Sequence, residues 1–195
     1  VGVTTVSASL AIADAAGEKV FCTGGIGGVH RGAHITGDIS ADLHALSRFN
    51  VLCVSAGAKA FLDLPVTLEY LETLGVPVLG CETNEFPAFY LLQSGLEIPR
   101  VDSVEEVASI FKTISGLGHQ HGLLLNAPIP LEAEFDSEMI WSLIENSIED
   151  CDRQGISGQA VTPFILEQLA NATEGKSIPA NLALLQNNAE VASKI

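Results

Sequence analysis

TGGIGGVHRG, residues 23–32, follows directly on the short apolar run KVFC at residues 19–22. Five of its ten residues are glycine. Glycine loses the most backbone entropy on ordering and is favoured where φ is positive or where the backbone must approach another group closely. We therefore predict a loop at residues 23–32, called the glycine loop below. A loop of this composition is expected to contact a small polar ligand.

A second cluster of small and polar residues, SAGAK at residues 55–59, follows the apolar run at residues 51–54. Residues 19–22 and 51–54 are short, apolar and followed by small residues, which is the pattern of buried strands. Open α/β sheets bind their ligands beyond the carboxyl ends of the strands. The glycine loop and residues 55–59 are therefore expected at the ligand-binding edge of a sheet.

A helix is predicted over residues 39–48, with Asp38 or Ser40 as its N-cap. The amide-rich N-terminus of such a helix attracts phosphate. The alternative interpretation of Asp38 is that it only caps the helix.

Lys59 is one of only nine Lys and Arg residues, against 24 Asp and Glu residues. It ends a predicted buried strand among Ala, Gly and Ser, so we expect it to be partly removed from water. Burial lowers the pKa of an amine and makes the neutral form available as a nucleophile towards a carbonyl. We predict a Schiff-base lysine. The alternative is an ion pair with Asp63, one helical turn later.

His30, His34 and Asp38 are spaced at four-residue intervals from the end of the glycine loop. Two imidazoles and a carboxylate are able to hold zinc, although this spacing matches no strong zinc motif. Direct coordination by these histidines is therefore a minor alternative.

The remaining chain alternates predicted strands with predicted helices and then becomes helical. The further strands are predicted at residues 76–79 and 123–125. The further helices are predicted at residues 7–16, from residues 63–65 to Gly75, at residues 103–115 and 137–154, after Pro163, and from Asn181 to the end, with connectors at residues 155–158 and 174–179. This order predicts an α/β fold with a mostly parallel sheet, crossover helices and a helical C-terminal layer. One domain is expected to cover residues 1–195.

Composition restricts the function. The net charge of −15 argues strongly against a nucleic-acid-binding surface, because phosphate backbones are bound by Lys and Arg. A small phosphorylated ligand is still compatible with it, since helix N-termini and metals bind phosphate locally. The four cysteines show no CxxC spacing, which favours free thiols in a reducing, cytoplasmic compartment. No apolar stretch reaches the roughly 20 residues of a membrane span, and the final Ser-Lys-Ile is only weakly similar to a peroxisomal address.

Several motifs occur in a fixed order along the chain. They are the glycine loop, DISADL at residues 38–43, AGAK at residues 56–59, LEYLET at residues 68–73, GVP at residues 75–77, PAF at residues 87–89, NAPIP at residues 126–130, TPF at residues 162–164 and NNA at residues 187–189. Together they resemble the pseudouridine-5′-phosphate glycosidase family, also called indigoidine synthase A-like. The resemblance covers essentially the whole chain.

The resemblance implies reversible cleavage of the C–C glycosidic bond of pseudouridine 5′-phosphate to uracil and ribose 5-phosphate. It makes Lys59 the nucleophile that bonds to C1′ of the opened ribose. It makes Asp38 the ligand of one divalent cation, usually Mn2+, with waters completing the shell. The implied substrate contacts are Val6, Thr23, His30, Ser40, Ala41, Asp42 and Asn181. A homotrimer is also implied, with no nucleic-acid or membrane partner.

The chain departs from the family's pattern at the general acid. Family members carry a glutamate acid and a second substrate-binding lysine well before the glycine loop, so this chain resembles the C-terminal two-thirds of the family's unit. None of Glu18, Glu69 and Glu82 is assigned the acid's role. The alternatives to an active glycosidase are an incomplete fragment or pseudoenzyme that acts as an assembly partner, or a Schiff-base lyase or aldolase on another sugar phosphate.

Overall fold

The computed structural model describes residues 4–195, and five parallel strands run through its centre. The strands are β1 (Val20–Cys22), β2 (Leu52–Ser55), β3 (Val78–Cys81), β4 (Arg100–Val101) and β5 (Leu123–Asn126). Their order across the sheet is β1-β2-β5-β3-β4, and every pairing is parallel. The predicted α/β fold with a mostly parallel sheet is confirmed.

Helices pack around this sheet. They are α1 (Val6–Ala16), α2 (Ala33–Thr36), α3 (Ala41–Arg48), α4 (Leu64–Thr73), α5 (Val104–Gly116), α6 (Ser137–Gln154), α7 (Val161–Ala172) and α8 (Ser177–Lys194), with 3₁₀ turns at Leu131–Ala133 and Gly158–Ala160. Among the described residues, no helix is both long and apolar enough to cross a bilayer.

Capping residues explain where several helices begin. The Thr5 hydroxyl accepts a hydrogen bond from Ala8 N, and Ser103 accepts one from Glu106 N. Ser40 rather than Asp38 caps α3, since its Oγ accepts from Asp42 N at 3.2 Å. The helix therefore begins at residue 41, two residues later than predicted. Asp38 is not the cap.

Two predicted helix starts were wrong because of proline, and one short strand was not predicted. The last helix begins at Ser177 instead of Asn181, and α7 begins at Val161, before Pro163. Proline is tolerated in the first turn of a helix, where its missing N–H has no intrahelical partner. β4 was not predicted, because a two-residue strand shows no alternation of apolar and polar residues.

Side-chain alternation divides the interior into two cores. On one face of the sheet, Cys53 and Leu124 pack with residues of α1, α3, α4, α6 and α7. On the other face, Val54 packs with residues of α5. Helix α8 passes from the first core, which contains Leu184, to the second, against which Val191 packs. It therefore crosses the carboxyl edge of the sheet, where the predicted site residues lie.

Candidate active site

The glycine loop and residues 56–59 lie side by side at the carboxyl ends of β1 and β2. Backbone hydrogen bonds join them from Thr23 N to Val54 O at 3.0 Å, Ala56 N to Gly24 O at 2.9 Å, Ile26 N to Gly57 O at 3.0 Å, and Lys59 N to Ile26 O at 3.3 Å. These bonds extend the parallel pairing of β1 and β2 past the ends of the strands. The two polar clusters therefore form one structural unit.

The glycines of this unit are required by close packing within the protein. A Cβ on Gly25 would lie 2.5 Å from the ring of Phe89. Gly57 has φ +77°, and a Cβ there would collide with the carbonyl oxygen of Pro87. At these two positions the glycines therefore make room for residues 87–89 of the protein itself, and not for a ligand as expected.

Lys59 is half-buried in a crevice of apolar side chains. The crevice is lined by Lys59, Ala60, Phe61, Phe89, Tyr90, Ile144, Leu166 and Leu169, and leaves a gap of about 10 Å³. Burial lowers the pKa of the Lys59 amine, and the negative charge of Asp42 partly opposes that shift. The shift increases the fraction of neutral amine at a given pH, and the neutral amine is the form that attacks a carbonyl.

The alternative ion pair between Lys59 and Asp63 is wrong. Asp63 caps α4, where its Oδ1 accepts a hydrogen bond from Val66 N at 3.2 Å. No salt bridge joins the two residues in the described part of the chain. Lys59 therefore has no carboxylate partner in direct contact there, and Asp42 acts on it only through its charge.

Asp42 holds three elements together beneath the glycine loop. Its side chain accepts hydrogen bonds from Ser7 N and from Gly27 N, both at 2.8 Å, and the residue is only 6% exposed. The bonds tie the start of α1 and the glycine loop to α3. Both carboxylate oxygens are therefore engaged by the protein, and the substrate contact implied for Asp42 stays a prediction.

Asp38 and His30 lie at an open cleft of about 470 Å³ between the glycine loop and the helices α6 and α7. The side chain of Asp38 is 34% exposed, and its Oδ2 is 4.0 Å from His30 Nδ1. Burial lowers the pKa of His30, Asp38 raises it, and the nearby Lys59 charge lowers it further. The cleft thus combines a partly exposed carboxylate with an imidazole that burial keeps largely neutral.

The zinc site considered for His30, His34 and Asp38 is wrong. His34 lies exposed on α2, and no group of three His, Cys, Asp or Glu residues within residues 4–195 is arranged to hold a metal. The four-residue spacing does not bring the three side chains together, because residues 33–36 form a separate short helix, α2, that ends before Asp38. A metal held by Asp38 with water ligands remains compatible with the geometry.

The other implied substrate contacts also gather around the ends of β1 and β2. A Cβ on Gly24 would lie 3.4 Å from Asn181 Oδ1, so α8 touches the loop beside Thr23. Ser40 contacts Gly27, where a Cβ would strike its hydroxyl. The remaining two lie at helix starts, Val6 at the first position of α1 and Ala41 at the first position of α3. The structure therefore brings the set together, while the individual roles stay predictions.

Sequence reasoning missed Phe89 and Asn188. Phe89 has φ +61°, and its ring lies over the glycine loop and beside Lys59. Asn188 is fully buried and donates hydrogen bonds to the loop. Both occur within motifs quoted for the family resemblance, but a positive φ or an inward-pointing amide has no signature in a single sequence.

Comparison with known proteins identifies the family of this chain and several named relatives. The family model for indigoidine synthase A-like proteins matches residues 1–195. A protein of Caldanaerobacter subterraneus subsp. tengcongensis named pseudouridine-5′-phosphate glycosidase is 56% identical over 193 residues, which is 98% of this chain and 63% of the relative. A protein of the same name from Petrotoga mobilis is 50% identical over 193 residues, with the same coverage of both chains. The chain thus spans about 63% of the length of these curated relatives.

Two solved structures share the fold. The prealnumycin C-glycosynthase AlnA, solved in complex with ribulose 5-phosphate, aligns with a TM-score of 0.93 at 37% identity, over 99% of this chain and 64% of that one. An indigoidine synthase A-like protein from Thermotoga maritima aligns with a TM-score of 0.89 at 39% identity, over 98% of this chain and 63% of that one. The sheet and its surrounding helices are therefore those of these proteins.

Proposed function

Because the chain belongs to the indigoidine synthase A-like family, we propose that it carries the lysine-bearing core of a pseudouridine-5′-phosphate glycosidase. The proposed reaction consumes one water and converts pseudouridine 5′-phosphate reversibly to uracil and ribose 5-phosphate. The observation that carries the proposal is a half-buried lysine, Lys59, beside a glycine loop at the carboxyl edge of a parallel sheet. Relatives at 50–56% identity that bear the name of this activity support it.

Lys59 is the proposed nucleophile. With ribose 5-phosphate, its neutral amine attacks the aldehyde carbon of the open sugar, the carbonyl oxygen leaves as water, and a C=N bond replaces the C=O bond. In the cleavage direction, the amine bonds to C1′ as the ring oxygen leaves it. When the bond from C1′ to uracil then breaks, the nitrogen lone pair forms a C=N bond at C1′, the bonding electrons go to the uracil carbon, and that carbon takes up a proton. Water then releases ribose 5-phosphate from the imine. The apolar crevice supports this role because burial lowers the pKa of Lys59 and so raises the fraction of neutral amine at a given pH.

Asp38 is the proposed ligand of one manganese ion. Its carboxylate is partly exposed at the cleft, and among the described residues no Lys or Arg forms an ion pair with it. Hard cations keep several waters and accept few protein ligands, so a single carboxylate fits such an ion. A bound cation would balance the charge of Asp38 and attract the substrate phosphate. Thr23, His30 and Asn181 are the proposed contacts of the sugar phosphate beside it.

The proton donor for the uracil carbon is proposed to lie in the part of the family's length that this chain does not span. Glu18 precedes β1 and so lies at the amino edge of the sheet, whereas Lys59 follows β2 at the carboxyl edge. Glu69 lies on α4 beside Glu72, and Glu82 lines a crevice beyond β3. None of these three lines the Lys59 crevice or the Asp38 cleft.

Uracil release from pseudouridine 5′-phosphate in the presence of manganese tests the function. It is measured for the 195-residue chain and for a version extended to the full length of the relatives. We expect release by the longer protein and a rate lower by ~10²–10⁴-fold for the shorter one, which is the usual effect of losing a general acid. Equal turnover would place the acid within these 195 residues. Absence of release by both would overturn the proposed function.

A second candidate is the formation of a C-glycosidic bond to an acceptor other than uracil. The observation that favours it is the TM-score of 0.93 to a C-glycosynthase solved with a pentulose phosphate. Lysine chemistry on a sugar phosphate would be shared by both reactions, so the acceptor distinguishes them. Ribose 5-phosphate should couple to uracil but not to a polycyclic aromatic acceptor if the glycosidase assignment is correct.

A homotrimer is also proposed. Ile178, Leu182 and Leu185 recur at helical spacing on α8 and are 61%, 56% and 41% exposed. An exposed apolar stripe of this kind is typical of a protein contact surface. Light scattering should give three times the mass of one chain, and Leu182→Glu should reduce that mass. A monomer at all concentrations would contradict the assembly but not the chemistry.

A further inference from the structure

Helix α8 is hydrogen-bonded to the glycine loop through a buried side-chain amide, that of Asn188. Asn188 is fully buried, and its Nδ2 donates to Thr23 O at 2.7 Å and to Gly24 O at 3.3 Å. The two carbonyls belong to the first two residues after β1, where the chain leaves the sheet to form the loop. Asn188 therefore fixes the point at which the loop begins.

The same point is connected to Lys59 by a short series of backbone hydrogen bonds. Gly24 O also accepts from Ala56 N at 2.9 Å. Two residues further along, Ile26 N donates to Gly57 O, and Ile26 O accepts from Lys59 N at 3.3 Å. A displacement of the loop at Gly24 would therefore also move the backbone of Lys59, through the hydrogen bonds of Gly24 and Ile26.

We propose that Asn188 is a positioning residue that holds the glycine loop in place beside Lys59 and so fixes the position of the Lys59 amine. The catalytic consequence rests on the proposed function of Lys59, whereas the positioning itself does not. Asn188 touches neither the Lys59 crevice nor the Asp38 cleft, since it lines neither of them. Its effect reaches the amine only through the loop.

The bonding of Asn188 also makes it a suitable residue to replace. Its Oδ1 is buried and has no hydrogen-bond partner among the described residues. Leucine has the same branched arrangement of heavy atoms, with bulkier methyl groups, and removes both donors without adding a polar atom. Asn188→Leu therefore leaves Thr23 O without its side-chain donor in a buried setting, and we expect the loop to shift towards other donors or water.

Asn187 provides a matched control on the same helix. Its Nδ2 donates to Pro128 O at 3.0 Å, in the loop that follows β5. The bond is of the same kind, an asparagine amide to a loop carbonyl, but none of the loop bonds described above connects it to Lys59. Asn187→Leu should therefore lower stability to a comparable extent without moving the amine.

The environment of Lys59 supplies a readout that a merely structural role would not change. Two titratable groups act on the amine, Asp42 from α3 and His30 from the glycine loop. The side chains around it are apolar or aromatic, with the Tyr90 phenol the one ionisable neighbour among those that line the crevice. If the loop shifts, water reaches the amine, and the midpoint of its titration moves up towards the ordinary lysine value.

The experiment measures acetylation of Lys59 by acetic anhydride as a function of pH, quantified by peptide mass spectrometry, in the wild-type, Asn188→Leu and Asn187→Leu chains. We expect the midpoint to rise in Asn188→Leu and to stay unchanged in Asn187→Leu. Trapping with ribose 5-phosphate and borohydride at neutral pH should give on the order of tenfold slower labelling at Lys59 in Asn188→Leu, since small misplacements of a reacting group are costly.

If Asn188→Leu does not fold, the experiment uses Asn188→Ala, which removes the same donors without adding a bulky side chain. An unchanged acetylation midpoint in a folded Asn188 variant, or an equal shift in Asn187→Leu, overturns the proposal. The acetylation arm needs no sugar. A wild-type chain that forms no sugar adduct while the Asn188 variant still shifts the midpoint would therefore overturn the proposed function and leave the positioning role supported.

Discussion

Two regions at the carboxyl edge of the same sheet differ sharply in their contact with water. The lysine site, residues 23–32 and 56–59, follows β1 and β2 and leaves a gap of about 10 Å³ beside its amine. The acidic crevice follows β3, β4 and β5 and has a volume of about 580 Å³. It is lined by Cys81, Glu82, Asp102, Ser103, Val104, Glu105, Ala127, Pro128, Asn187, Val191 and Lys194.

Both regions satisfy the rule that α/β sheets bind ligands beyond the carboxyl ends of their strands. In the acidic crevice, however, the charged groups are exposed, and two of them are paired, with Lys194 Nζ 2.8 Å from Glu190 and Asp102 2.6 Å from Arg100. Surface pairs of this kind keep the ordinary protonation states of their groups. In the lysine site, one unpaired amine is surrounded by apolar side chains. The proposed reactive site is thus distinguished from the acidic crevice by the burial of a single group, and not by a larger opening.

Replacing one lysine in each region tests the contrast between the lysine site and the acidic crevice most directly. Lys59→Met should reduce borohydride-trapped adduct formation with ribose 5-phosphate by on the order of 10³-fold or more, as expected for a nucleophile. Lys194→Met should have no effect, because Glu190 hydrogen bonds to Lys194 and raises its pKa. Peptide mass mapping gives the site of labelling. Adduct on Lys194, or undiminished adduct in Lys59→Met, would show that burial does not select the nucleophile.

Carboxylates allow the same contrast for metal binding. Asp38→Asn should weaken manganese binding by at least about tenfold, since it removes the charged ligand of the proposed ion. Asp102→Asn should leave manganese affinity unchanged, because Asp102 pairs with Arg100. Titration calorimetry on folded samples measures both affinities. Equal losses in the two variants would mean that manganese binds to the acidic surface in general.

The lysine site also shows how far sequence reasoning extends. The helix over Ser137–Gln154 was predicted correctly, and the helices over residues 7–16 and 103–115 were predicted to within one residue at each end, because helix capping and amphipathic periodicity act within a few residues. The position of Lys59 at the end of β2 was predicted from the apolar run before it. These features depend on neighbours in the sequence, which a single chain displays.

The features that were missed depend on contacts between distant residues. Phe89 takes a positive φ because the segment that contains it crosses Gly57, and Asn188 is 165 residues away from its acceptor Thr23. Asp42 was predicted to contact substrate, but its oxygens accept from amides 35 and 15 residues away in the sequence. An aspartate that joins backbone segments and one that binds a ligand have the same local sequence signature.

A third pair of variants separates buried from exposed carboxylates by their effect on stability. Asp42→Asn replaces one acceptor oxygen by an NH₂ group that faces a backbone N–H, and hydrogen bonds to a charged group contribute roughly 1.5–3 kcal/mol. We therefore expect the free energy of unfolding to fall by about 2 kcal/mol. Asp102→Asn breaks an exposed pair worth roughly 0–1 kcal/mol. Urea unfolding compares them, and an equal, small effect in both would contradict the anchoring role of Asp42.

The smallest expected effect is the opposite pH dependence of the two lysines. Burial holds the pKa of Lys59 below 10.5 in the folded chain, whereas Glu190 holds that of Lys194 above 10.5. Between the folded pKa of Lys59 and 10.5, the unfolded chain binds more protons at this residue, so the stability contributed there rises with pH. For Lys194 the folded chain binds more protons, and its slight contribution is complete below 10.5 and is lost as pH rises through the folded pKa. Lys59→Met should therefore raise the free energy of unfolding most at pH values below the folded pKa of Lys59, where folding buries a charged amine, and the gain should shrink as pH approaches 10.5. Lys194→Met should show no gain at neutral pH.

Urea unfolding of both variants and the wild type at a series of pH values measures these gains in the free energy of unfolding. A Lys59→Met gain that is independent of pH would mean that the amine is not desolvated, and the distinction between the two regions would then rest on shape alone.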